Sequence, residues 1–173
     1  MSAICETCRT PDATEECKLC GNALCEDCVM APPHGTFSLM AKIPTELSYQ
    51  CYCRFCYDDK IEPEAQKYEE LLARAKDIFI FFKTQKREIP LIRKTKEIMK
   101  VTECSDRDET ILRLAYMAAE KNFNAVIETD VNYAKVRNAG YQTTNWSGTG
   151  IAAQVDEAKL DSQHRANQVY ERG

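Results

Sequence analysis

Four Cys-x-x-Cys pairs, Cys5/Cys8, Cys17/Cys20, Cys25/Cys28 and Cys53/Cys56, crowd into the first 56 residues of this 173-residue chain. Each has the spacing at which a tight turn aims two thiolates at one metal ion, and four pairs complete two tetrahedral sites with no ligand missing. Of the ten cysteines only Cys104 lies outside this region. In an exported chain such a cluster would be a disulfide framework. The N-terminus carries no signal pattern, however, and the longest wholly apolar run is Leu114–Ala119. We therefore expect a cytoplasmic protein without membrane insertion, whose reduced thiols hold metal. Four thiolates without histidine favour zinc, with rubredoxin-like iron sites the alternative.

The stretch "CKLCGNALCEDC", Cys17 to Cys28, sets two pairs side by side. Five Cα steps from Cys20 to Cys25 reach at most about 17 Å, enough to cross from one metal to a neighbouring one. Interleaved pairing gives one site of Cys5, Cys8, Cys25 and Cys28 and another of Cys17, Cys20, Cys53 and Cys56. Sequential pairing would give two independent lobes instead. Spacing alone leaves both open.

"CKLCGNALCEDC" followed by "CRFCYDD" resembles the cross-brace zinc finger of the FYVE type, over roughly residues 3–60. Gly21 matches the family glycine and Tyr57 the aromatic after the last pair. The resemblance implies the interleaved order. It departs at the lipid site: the family's basic, histidine-containing run is missing, and "ATEEC" with Glu15 and Glu16 precedes the second pair.

Residues 1–60 hold five Lys/Arg and nine Asp/Glu, a balance of −4. Four thiolates around a divalent ion carry about −2, so two loaded sites would bring this region to about −8. Such a surface repels anionic lipid and nucleic-acid backbones, and we expect no nucleic-acid partner. With few large apolar side chains, a module of this size needs a staple, and structural zinc supplies ~10–16 kcal/mol of apparent binding energy. An all-cysteine site keeps no open position for water, so catalysis is not expected. Cys51 is left over and is expected to fill a short strand; His34, in a Pro/Gly loop, is expected to be solvated.

After residue 60 periodic patterns begin. Pro63 suits the first turn of a helix, whose apolar stripe is Ala65, Tyr68, Leu71, Leu72 and Ala75. "IFIFF" predicts a buried strand, and "IPLI" and "EIMKV" predict separate extended pieces. Ser105 or Asp106, with Asp108 or Glu109 three residues on, caps a second helix with the stripe Ile111, Leu114, Ala115 and Ala118. In "NAVIETDVNY", alternation puts Ala125, Ile127, Thr129, Val131 and Tyr133 on one face and Glu128, Asp130 and Asn132 on the other. "RNAG" turns the chain into "YQTTNWSGTGIAA" as antiparallel partner.

The motifs "AAEKNFNAVIETDVNY" and "WSGTGIA" resemble the YbjQ-like family of small bacterial proteins associated with heavy-metal binding, over about residues 78–155. Asn122 stands where the family has glycine, a substitution that tolerates a left-handed turn. Members form closed rings, so the resemblance implies a homo-oligomer, a pentamer or a multiple. The polar row Glu128, Asp130 and Asn132 lacks a histidine, and we read it as a solvent or interface face rather than a metal site. Cys104 is expected to be a packed thiol, the seven Lys/Arg of residues 83–100 a solvated run, and Trp146 a core or interface anchor.

The sequence thus predicts an α+β chain with a two-zinc domain at 1–60, an oligomerising sheet domain with leading helix at 61–155 and a polar tail at 156–173. Its expected role is a non-enzymatic scaffold or adaptor presenting zinc fingers to a protein partner on a ring. The alternatives are a heavy-metal-handling protein and a ubiquitin-type ligase or lipid-binding module.

Overall fold

The computed structural model describes residues 3–161, which divide into two compact units with the boundary after Glu70. The class is α+β: a two-stranded antiparallel sheet in the first unit, a four-stranded mixed sheet in the second, and a few helices. The tail expected beyond residue 156 lies mostly outside the described residues.

In the first unit, β1 (Glu15–Glu16) pairs with β2 (Ala23–Leu24), and a single helical turn α1 (Arg54–Cys56) follows the long loop. The loop is pinned by Phe37, whose ring meets Tyr68 edge-on at 5.4 Å, and by Leu39 N–H donating to the Tyr68 hydroxyl. The helix expected to start at Pro63 starts already at Arg54. It passes through a π-helical turn, Tyr57–Ile61, into α2 (Glu62–Lys76). Proline explains the wide turn. Pro63 offers no N–H and its ring would clash with the carbonyl four residues back, so the helix loosens just before it. Glu62 N–H accordingly reaches Tyr57 O, one residue further than α-helical geometry.

The second unit holds β3 (Phe79–Phe82), β4 (Leu91–Cys104), α3 (Arg107–Glu120), β5 (Ala125–Asn138) and β6 (Tyr141–Val155), in sheet order β3-β5-β6-β4. β3 runs parallel to β5; the other pairings are antiparallel. The two expected extended pieces are one strand, β4, with register irregularities around Arg93, between Lys94 and Ile98, and before Cys104. Its polar centre broke the apolar pattern, but an edge strand needs no apolar face there to keep pairing.

Asp106 caps α3, accepting from Glu109 N–H at 2.7 Å, while the Glu109 carboxylate reaches back to Ser105 N–H at 2.8 Å. The helix ends in a Schellman motif: Asn122 sits at φ 58°, its N–H bonds Ala119 O and Phe123 N–H bonds Ala118 O. Leu114 and Ala118 of α3 pack with Met99, Val126 and Ala152 on one sheet face. The other face buries Phe81, Ala125, Ile127, Ala153 and Val155. At Gly148 a Cβ would stand 2.7 Å from Thr110 Cγ2, so the helix rests directly on the backbone of β6.

The expected alternation along β5 breaks at Glu128. This residue adopts φ 52°, and it and Thr129 together oppose Gly150 between the pairs Ile127↔Ile151 and Asp130↔Thr149. One extra residue swaps the parity. Ala125 and Ile127 therefore face opposite to Thr129 and Val131, and the three polar residues are not one regular row. Glu128 meets Lys94 at 3.3 Å, and Asn132 donates to Asp130 at 3.2 Å. Cys104 is packed, 1% exposed. Phe81 is spent in the core, and Trp146 is half-buried against Tyr133, ring centroids 5.2 Å apart. The exposed large apolar side chains of this unit, among the described residues, are Leu91, Ile92, Ile98, Tyr133 and Tyr141.

Candidate metal centres

The local chain builds two kinds of cysteine turn. In the first kind, Cys5 N–H bonds Thr10 O and Arg9 N–H bonds Cys5 O, with Arg9 at φ 65°. Cys17 repeats it: Cys17 N–H bonds Asn22 O and Gly21 N–H bonds Cys17 O, with Gly21 at φ 78°. The left-handed residue after the second cysteine folds the chain back and turns both sulfurs the same way. In the second kind the pair rides a helical turn. Cys25 precedes the 3-10 turn Glu26–Cys28, and Cys53 precedes α1, its Sγ accepting from Cys56 N–H at 3.4 Å.

Backbone pairing decides which turns meet. Glu6 N–H bonds Ala23 O, and β1 pairs with β2, so Cys5 and Cys8 lie beside Cys25. Met30 and Tyr52 exchange both N–H···O bonds at 2.9 Å, and Lys18 N–H bonds Cys51 O, carrying Cys53 to Cys17. The outcome is the interleaved grouping: Cys5, Cys8, Cys25 and Cys28 form one tetrad, and Cys17, Cys20, Cys53 and Cys56 the other. Each tetrad takes one hairpin turn and one helical turn.

Within each tetrad all four sulfurs lie within 4.8 Å of one another. Cys8 and Cys25 Sγ are 3.6 Å apart, Cys20 and Cys53 Sγ 3.7 Å. A disulfide would need about 2.0 Å. Four sulfurs about 2.3 Å from a common centre stand about 3.8 Å apart in a tetrahedron, so the spacing fits a metal of zinc's size. All cysteines here are free thiols.

Thiol electrostatics agree. Cys5 is held down to about 6 by hydrogen bonds from the Cys8 and Cys25 backbone. Burial pushes Cys17 up, but N–H groups at Cys53, Cys20 and Leu19 outweigh it and bring it to about 6. Cys28 is pushed up to about 12 by the sulfurs of Cys25 and Cys8, and Cys56 is raised by burial and by Cys53. Four packed sulfurs cannot all ionise without a cation, so each tetrad is suited by its charge as well as its spacing to hold a metal ion.

Cys51 belongs to neither tetrad; it is buried among Cys5, Cys17, Cys25, Cys53, Cys56 and Leu24, and burial raises its thiol. His34 is exposed in a turn. Thr10, whose hydroxyl lies 3.0 Å from Cys8 Sγ and lowers that thiol, was not singled out by the sequence. Its only signal was its place two residues after a cysteine. Among the described residues no other group of thiols, imidazoles or carboxylates converges in this way, and no helix is long and apolar enough to cross a membrane. Comparison with known protein families, curated proteins and solved structures finds no match to this chain.

Proposed function

We propose that the chain is a non-enzymatic scaffold, in which two structural zinc ions fold a cross-brace interaction module carried on a homo-oligomeric sheet domain. The observation that carries the reading is the pair of closed all-cysteine tetrads, interleaved so that each ion would tie distant parts of one short unit together. Cys5, Cys8, Cys25 and Cys28 would hold one ion, and Cys17, Cys20, Cys53 and Cys56 the other. Bound zinc supplies folding energy here, because four protein thiolates fill its coordination sphere and leave no position for water. The FYVE-like and YbjQ-like motifs support the finger and the ring respectively, and a ring raises avidity by presenting several fingers at once.

Elemental analysis of the purified chain tests this directly. Two zinc ions per chain are expected. One ion, or iron in place of zinc, would overturn the reading, and more than two would favour a metal-handling role for the second unit.

A further inference from the structure

The first unit carries a groove of about 430 Å³ that the tetrads do not use. Half-buried Val29 and Tyr49 and the buried Cys51 form its apolar floor, and Glu15 and Glu26 stand on its rim. The size is that of a ligand pocket. Neither carboxylate has a cationic partner among the described residues. The one cation on the groove, Lys18, ties its backbone N–H to Cys51 O and also lacks an ion pair. Two carboxylates against one ammonium leave the rim negative, in a unit whose residues 1–60 already carry an acidic excess.

We propose that this groove binds an extended, lysine- or arginine-bearing segment of another protein. The inference rests on the interaction-module reading and names its partner class. An apolar floor with a negative rim suits a side chain that is apolar along its stem and cationic at its tip. The stem would lie over Val29 and Cys51 and the cation between Glu15 and Glu26, with Tyr49 also lining the groove. An anionic lipid headgroup or nucleic-acid backbone would meet the same carboxylates unfavourably.

The test uses the full zinc-loaded chain and fluorescein-labelled peptides of sequence GAKAKAG, GAQAQAG and GAEAEAG, read by anisotropy. The lysine peptide is expected to bind at least tenfold more tightly than the glutamine peptide, and less tightly as salt rises. The double variant Glu15→Gln/Glu26→Gln is expected to lose that preference. Asp12→Asn/Asp59→Asn, which removes the same charge from exposed sites outside the groove lining, is expected to keep it. Equal binding of the lysine and glutamine peptides, or preference for GAEAEAG, would overturn the proposal. So would salt-sensitive self-association of the chain that excludes the peptide, since the occupant would then be a second copy. A chain with two zinc ions that ignores the lysine peptide sinks this inference alone; a chain without zinc removes the module reading beneath it.

Discussion

Arg9 and Gly21 perform one task in two cysteine turns, yet only the glycine announced it in the sequence. Both adopt the left-handed conformation that closes the turn. Arginine pays a steric penalty there, so the pattern is concealed when the residue type disagrees with the backbone. Ala139 is a second such case. With Gly140 it forms the two-residue loop between Asn138 and Tyr141, at φ 46° and 89°, a type I′ geometry that prefers Asn-Gly. Ala139→Asn is expected to raise stability by about 0.5–1 kcal/mol in urea unfolding. A third residue gives a pH signature. Glu109 is held down to about 2 by the Ser105 hydroxyl and N–H, and then by Arg113. A depressed carboxyl stabilises the fold above its ordinary value of 4.5, and that contribution is lost as pH falls toward about 2. The shift corresponds to about 3 kcal/mol at most, and partial exposure reduces it to about 1–2 kcal/mol. Glu109→Gln should therefore cost about 1–2 kcal/mol at neutral pH, and its deficit against the parent should close between pH 4.5 and 2. The cysteine unit is common to both proteins and cancels in that difference. A deficit constant with pH would show that Glu109 is not ionised in its cap.

At the scale of elements, the bodies of α2 and α3 and the β5–β6 hairpin were legible because periodicity and caps act locally. What escaped the sequence came from competition between local signals. Pro63 looked like a helix start, but the chain is already helical from Arg54, capped by Cys53, and the π turn accommodates the proline. The bulge at Glu128 carries no glycine or proline to mark it, so strict alternation was expected through it. β3 pairs in parallel with β5 across the whole intervening β4 and α3, which no local pattern encodes. The tetrads were legible by residue type; their grouping depended on backbone pairs such as Met30↔Tyr52. That grouping has a consequence for the link from Gly21 to Leu24, which joins the two tetrads directly. Cys20→Ala removes one ligand from the second tetrad and slackens the turn that sets Cys25 in the first. Zinc titration of this variant is expected to show weakened binding at both sites. Loss of one ion with the other held at parental affinity would mean the sites are independent.

The second unit, taken whole, leaves the far halves of β5 and β6 without outer partners. β6 pairs with β4 only as far as Trp146, and β5 pairs with β3 only as far as Thr129. Beyond those points β5 and β6 continue as a bare two-stranded ribbon to the Ala139–Gly140 turn. Tyr133 is 61% exposed and Tyr141 79% on this ribbon, and Ile92 and Ile98 project from the β4 edge at 64% and 65%. An isolated two-stranded ribbon is marginal in water, and open edges with apolar side chains invite a neighbouring strand. Lysines at 94, 96 and 100 and the irregularities of β4 blunt that edge against indiscriminate pairing, which favours a closed assembly over open aggregation. The fragment of residues 61–173, which lacks both tetrads, is therefore expected to form a discrete oligomer by light scattering even with chelator present, a pentamer or a multiple. Tyr133→Lys/Tyr141→Lys should shift it to smaller species by setting charge on the ribbon where a neighbour must pack. A folded monomer at all concentrations would overturn the proposed ring, and with it the avidity argument for the proposed scaffold role.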